Sequence, residues 1–230
     1  MENKKRGLFI VFEGVDGCGK TTQAELLRFV KVFEKTDTWL TAEPTKKDIG
    51  KLIDRIKTCK SDVNVSKEML ALLFAADRAD HVIDIEKKLE QGTWVICDRY
   101  FYSSLAYENG EMTKEINSNF LVPDYVFYLS PPLPVCLDRI SKRGESSKDI
   151  FEKQEVLKQA YDNYEKIFNP IIDNKRIIKI SADKPVDEIH YMIYNYIKEN
   201  DETLYDIQLP NPRGVGFHVT KYENGRTEME

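Results

Sequence analysis

Long apolar runs are missing from this sequence. The longest wholly apolar stretch covers residues 69–76, far short of the ~20 residues that cross a bilayer, and mean hydropathy is −0.49. A membrane span is excluded on that ground. Basic excess is missing too. Lys and Arg number 34 against 39 Asp and Glu, a formal charge of −5, so no broad cationic surface is offered to a nucleic-acid backbone. Cysteine is scarce and scattered. Cys18, Cys59, Cys97 and Cys136 contain no CxxC or CxxH pair among them, which excludes a zinc knuckle and a dithiol redox pair. His81, His190 and His218 are equally dispersed. The apolar run 8–12 behind MENKKR is too short for the core of a secretory signal, which predicts a cytoplasmic protein. Internal repeats and low-complexity tracts are absent from the sequence.

What is present is alternation. Short β-branched and aromatic runs at 8–12, 38–41, 93–97, 125–129 and 176–180 read as strands. Segments of helical period at 20–33, 46–58, 66–90, 134–142, 151–168 and 185–199 separate them, with Ser66 a natural N-cap and Pro134 and Pro185 suited to first turns. This order predicts βαβ units around a five-stranded parallel sheet flanked by helices. A length of 230 residues suits one full domain with an appendage. Two stretches break the pattern. Residues 142–149 (KRGESSKD) are charged, carry Gly144 and read as a mobile loop. From residue 201 onward, Asn224-Gly225 between short polar flanks signals a hairpin, so a terminal ribbon and a disordered tail are the two expectations.

Directly after the first strand, Gly14-Val15-Asp16-Gly17-Cys18-Gly19-Lys20-Thr21 fits G-x-x-x-x-G-K-[ST], with Thr22 following. Glycines let the backbone wrap a phosphate, its N–H groups point inward, and the next helix adds its dipole. Lys20 would reach the β and γ phosphates, and the Thr21 hydroxyl would join a Mg²⁺ shell. The motif predicts a bound nucleoside triphosphate with Mg²⁺ on a P-loop NTPase fold. A guanine-reading N-K-x-D is not formed, because Asn174-Lys175 is followed by Ile177 where Asp is required, which disfavours a GTPase switch.

A phosphotransferase must also hold an acceptor. Asp98-Arg99-Tyr100 follows the third strand, at the sheet edge where ligands of open α/β folds bind. Phe74 and Arg78 stand four apart on one helix face, a ring beside a fixed cation suited to a base and a phosphate.

Several separated segments together resemble the thymidylate kinase family of nucleoside monophosphate kinases: FEGVDGCGKTTQ, AEP, LLFAADRADHV, QGTWVICDRYFYSSLAYE and PDYVFYL, in the family's order across roughly residues 7–200. The resemblance implies transfer of the γ-phosphate of ATP to dTMP in a domain of residues 1–200 with a mobile lid at about 142–153, followed by an extension at 201–230. It implies that Asp16 contacts the 3′-hydroxyl of the acceptor sugar, Phe74 stacks on thymine, Arg78 addresses the base, and Arg99 binds the acceptor phosphate. Asp98 would serve the Mg²⁺ shell or its water, Ser103 and Ser104 would line the base site, and the ring of Tyr107 would crowd a 2′-hydroxyl. Glu43 lies in the AEP turn, where relatives often carry an arginine in a REP or RxP pattern, a departure that bears on one phosphate contact. Gly17 after Asp16 cannot supply a catalytic cation, so the lid must; Arg143 of the Arg143-Gly144-Glu145 run is the first candidate, and Arg139, Lys142 and Lys148 are the others. Glu152 resembles the acid near the acceptor sugar, and a homodimer is the family's usual state. A related kinase for another nucleotide and a non-catalytic nucleotide-binding module are the competing readings.

Overall fold

Branched and aromatic side chains fit a pleated surface, and strands covered on both faces become almost wholly apolar. That is the situation of β1 (Phe9–Glu13), in which every residue is 0% exposed. The computed structural model describes residues 6–58, 65–142, 147–171, 175–200, 219–221 and 227–229. β1 is the central member of a parallel sheet completed by β2 (Thr38–Ala42), β3 (Trp94–Asp98), β4 (Tyr125–Leu129) and β5 (Ile177–Ile180), in the order β2-β3-β1-β4-β5. The register sets Val11 beside Cys97 on one side and beside Val126 on the other. Phe12 and Phe127 stack at 5.6 Å between ring centroids.

The helices are α1 (Lys20–Phe33), α2 (Asp48–Thr58), α3 (Lys67–Glu90), α4 (Phe101–Tyr107), α5 (Glu111–Asn117), α6 (Leu133–Ser141), α7 (Ser147–Phe168) and α8 (Val186–Asn200). Ser66 caps α3, its hydroxyl accepting from the Met69 N–H at 3.1 Å. After β1 the chain leaves toward the β2 edge, and after β4 toward the β5 edge. The crevice where such connections diverge, at the carboxyl ends of the strands, is where an open α/β sheet takes its ligand.

The five strands fall within about a residue of the predicted runs, and α1 coincides with its predicted span. Two differences stand out. α4 and α5, seven residues each, were not anticipated, because two turns carry too little periodicity to register. The charged 142–149 loop is shorter than expected. The backbone is already helical from Ser147, where a Ser-Lys-Asp start suits a helix first turn, and 143–146 lie outside the described residues.

The chain divides into two compact units, Met1–Ile197 and Lys198–Glu230. In the second, β6 (Val219–Lys221) and β7 (Thr227–Met229) pair antiparallel, and Asn224-Gly225 lies outside the described residues.

Candidate active site

The loop between β1 and α1 makes turns that a side chain would obstruct. Gly14 and Gly17 adopt φ of 139° and 81°, and a Cβ on either would stand 2.5 Å from a backbone carbonyl oxygen, that of Leu129 or Cys136. At the end of the loop, α1 begins without a side-chain cap and without an acid in its first turn. Its N–H groups and dipole are therefore open to an anion. The buried ammonium of Lys20 folds back to donate to Val15 O at 2.9 Å, with Cys18 Sγ at 3.6 Å. Lys20, Thr21, Asp16, Asp98, Arg99 and Pro44 line a cleft of ≈ 240 Å³.

Two residues at the end of β3 turn into this cleft. Asp98 Oδ2 accepts from the Thr21 hydroxyl at 2.5 Å, and its buried Oδ1 has no hydrogen-bond partner among the described residues. Arg99 has φ of 71°, a left-handed conformation that a non-glycine residue adopts at a cost of about 1–3 kcal/mol. The turn sends its guanidinium back over the loop. There it pairs with Asp16, donates to Ser103 Oγ at 2.9 Å and lies 5.4 Å from the ring centroid of Tyr107. The cleft walls work against the charged form of Asp16, but Arg99 and Lys20 outweigh them and hold its carboxyl below the ordinary value. Burial raises the Tyr107 hydroxyl to about 12, so that ring is neutral.

Glu13 organises the turn from beneath. Its fully buried carboxylate accepts from Tyr100 N–H at 2.8 Å, Ser103 N–H at 3.2 Å, Ser103 Oγ at 2.8 Å and the Tyr164 hydroxyl at 2.8 Å. Burial raises its pKa despite Arg99 and these donors. The last residue of β1 thus caps α4, supplying from a distant strand the acceptor that Tyr100 at the N-cap does not.

The wall formed by α3 and α4 carries the acceptor candidates. Phe74 is half-buried, with the Lys57 ammonium 5.8 Å from its ring centroid. One turn on, Arg78 is 1% exposed and lies between the rings of Tyr100 and Phe120, at 5.4 and 5.6 Å. Its fork donates to Glu43, to Asn117 and, at 3.3 Å, to Ser104 Oγ. Glu43, expected on the substrate, is buried with its carboxylate against Arg78 and His81. Ser103, expected on the base, is engaged with Arg99, Glu13 and Tyr164. Beside this wall, burial pushes the Glu108 carboxyl up to about 7, although the Ser104 hydroxyl, Arg78 and Lys57 pull the other way.

Of the lid candidates, Arg139 is committed. It donates to Gly17 O at 3.3 Å, Cys18 O at 3.4 Å and Ala182 O at 3.0 Å, tying the phosphate loop to the segment after β5. Lys142 pairs with Asp138 at 2.6 Å on the surface. Arg143 lies outside the described residues, and Glu152 and Lys148 fall where only the helical backbone is described. Glu13 and Tyr164 were not expected in the site. The only sign of the first is an acid closing an otherwise apolar strand.

A family model described as "Thymidylate kinase" matches residues 12–193. Among curated proteins, the chain is 39% identical over 196 residues to the "Probable thymidylate kinase" of Methanocaldococcus jannaschii, covering 83% of this chain and 96% of that protein. It is 40% identical over 192 residues to the protein of the same description from Methanococcus aeolicus, covering 79% and 91%. To that from Pyrococcus horikoshii it is 39% identical over 206 residues, covering 84% and 97%.

Proposed function

The chain belongs to the thymidylate kinase family, and from that premise we propose that it transfers the γ-phosphate of ATP to dTMP, giving dTDP for dTTP synthesis. One observation carries the reading onto this chain's own residues. Across a single cleft, an uncapped helix N-terminus with Lys20 faces a second cation, Arg99, which Asp16 and Ser103 hold in place.

Phosphoryl transfer demands alignment of two phosphates and neutralisation of spreading charge, with little covalent work. The backbone from Gly14 to Thr22, through Val15, Asp16, Gly17, Cys18 and Gly19, wraps the ATP phosphates, and Lys20 exchanges Val15 O for the β and γ groups. Arg99 brings the acceptor phosphate into line, and Asp16 takes the 3′-hydroxyl of the acceptor sugar. Phe74 stacks on thymine beside Arg78 and Ser104, and the ring of Tyr107 lies beneath the deoxyribose. Glu43 and Ser103 act on the acceptor indirectly, through the arginines they bind. From the lid, Arg143 supplies the transition-state cation and Glu152 approaches the sugar. Closure excludes water, which would otherwise compete with dTMP for the γ-phosphate.

The residues fit Mg²⁺. The Thr21 hydroxyl meets Asp98, whose second oxygen is buried without a partner among the described residues. Among the described residues no group of three or more His, Cys, Asp or Glu could hold a metal ion, a donor set suited to an ion bound mainly by phosphates and water. Thr21, and Asp98 through water, would hold it, and when bound it neutralises charge on the β and γ phosphates.

A cytoplasmic homodimer acting on small nucleotides, not nucleic acid, completes the reading. No helix among the described residues is long and apolar enough to cross a membrane. The dimer is supported by α3, where Met69, Leu72, Ala76, Ala79 and Ile83 are all exposed. Their alternating spacing of three and four is that of a helix–helix seam.

Coupled ADP release with ATP·Mg²⁺ and dTMP, dUMP, dCMP, dGMP or UMP tests the function. dTMP is expected to give the highest kcat/KM. A higher value for another acceptor indicates the related kinase, and turnover of none indicates a binding module. Lys20→Ala is expected to abolish transfer and leave the fold intact.

A further inference from the structure

His81 has no part in the chemistry above, yet it is 1% exposed and both its ring nitrogens are engaged. Nδ1 lies 3.0 Å from Glu43 Oε1, and Nε2 lies 2.8 Å from Thr41 Oγ1. The Trp39 ring meets the imidazole edge-on at 5.6 Å and fixes its plane. A carboxylate oxygen accepts, so Nδ1 carries a ring proton toward Glu43, and Nε2 shares a hydrogen bond with the Thr41 hydroxyl. Glu43 gives its other oxygen, Oε2, to Nε and Nη2 of Arg78, each at 2.8 Å.

Arg78 has five N–H donors. Nε donates to Glu43, Nη2 to Glu43 and Ser104, and one N–H of Nη1 to Asn117. One N–H of Nη1 is left, and no acceptor for it is found among the described residues. A guanidinium keeps its charge at any working pH, so this last donor accommodates only an acceptor atom. A keto oxygen satisfies it; an exocyclic amino group sets N–H against N–H.

We propose that Thr41 and His81 form a positioning relay which, through Glu43, holds the Arg78 fork so that its remaining N–H selects a keto over an amino pyrimidine in the acceptor. The inference deepens the kinase reading and rests on it. It differs from that reading in assigning acceptor preference to two residues that touch no substrate. Glu43 borders the cleft that carries Lys20 and Thr21, but Thr41 and His81 do not line it, so changes at these two residues are expected to act on the acceptor apart from ATP.

The experiment compares wild type with Thr41→Val, Thr41→Ser and His81→Phe. Calorimetric Kd values for dTMP and dCMP are measured beside kcat and the KM for ATP. Thr41→Val removes one hydroxyl at constant volume on a strand that favours valine. It is expected to weaken dTMP binding and to narrow the dTMP:dCMP ratio, each by about tenfold, the weight of one hydrogen bond near a charge. kcat and the KM for ATP stay within about twofold, which separates acceptor binding from the chemical step. Thr41→Ser restores both acceptor values. His81→Phe gives the same pattern more strongly, and if it fails to fold, the Thr41 pair decides. A wild-type enzyme that neither binds nor phosphorylates dTMP overturns the kinase reading. Wild-type activity with an unchanged dTMP:dCMP ratio in Thr41→Val, or with acceptor and ATP constants moving together, overturns the relay alone.

Discussion

Arg99 is held by its backbone as much as by its side chain. Its φ of 71° aims the fork so that one arm meets Asp16 and the other Ser103, while Tyr107 covers a face. A lysine has the charge but neither the fork nor the flat face. Arg99→Lys is therefore expected to lower kcat/KM for dTMP by about 10²–10³, the range seen when a positioned donor to transition-state charge is lost; steady-state kinetics checks this. Glu108 makes a separate prediction. With its carboxyl raised to about 7 in the fold against an ordinary value of 4.5, the folded protein keeps a proton that the unfolded chain releases. This group's effect is that stability falls as pH rises from about 4.5 to 7 and is flat above. Glu108→Gln fixes the neutral form, so at pH 8 it is expected to exceed wild type by on the order of 1 kcal/mol, with little difference at pH 5, read from urea midpoints. At this scale the sequence was most legible where residues act as neighbours. Lys20 and Thr21 announce themselves by spacing, and Asp98-Arg99 by their place after a strand. Glu13, His81 and Asn117 act on partners tens of residues away, and no local pattern carries such a contact.

Elements bring those distant partners together. β1 ends in Glu13, whose carboxylate caps α4, and α4 in turn presents Ser103 to Arg99 and Ser104 to Arg78. Removing the carboxylate takes the acceptor from the buried Tyr100 N–H and from the Ser103 and Tyr164 hydroxyls, and leaves the Ser103 N–H with Tyr100 O alone. Glu13→Ala is expected to cost about 2–4 kcal/mol by denaturant unfolding and to reduce kcat/KM for dTMP more than tenfold. Loss of stability without loss of activity would show that the cap does not transmit to Arg99. The segment between α6 and α7 makes the opposite prediction. If it supplies a cation only at the transition state, Arg143→Ala lowers kcat by about 10³ or more, with little change in the KM for ATP or dTMP and none in thermal midpoint. The strands and long helices were legible because each buries a periodic apolar face. α4 was not, because the acid that begins it belongs to another strand. The helical start at Ser147 was masked by the charge of its first turns.

At the scale of the whole molecule, the acidic balance and the anionic substrates are reconciled by placement. A formal charge of −5 leaves the surface negative on balance, while Lys20, Arg78 and Arg99 are largely enclosed around the cleft and its wall. The cationic centre is thus local, and a few fixed charges in a partly dry cleft act more strongly than many in water. What such a molecule leaves exposed to apolar contact is then informative. Leu72 and Ile83 are 53% and 65% exposed on α3, in the stripe with Met69, Ala76 and Ala79. A second copy of the same helix offers the same stripe, and a two-fold pairing covers the stripe of both copies at once. Leu72→Glu puts a carboxylate from each chain into that seam, where burial and mutual repulsion both oppose association. Sedimentation equilibrium is expected to fall from twice 26.8 kDa to 26.8 kDa. Phe74 and Arg78, the proposed acceptor contacts, lie on the same helix as this stripe. The monomer is expected to keep its KM for ATP, because the phosphate loop is built by β1 and α1. Its KM for dTMP should rise several-fold as α3 loses a neighbour. Wild-type sedimentation at 26.8 kDa would remove the dimer and assign the stripe to another partner.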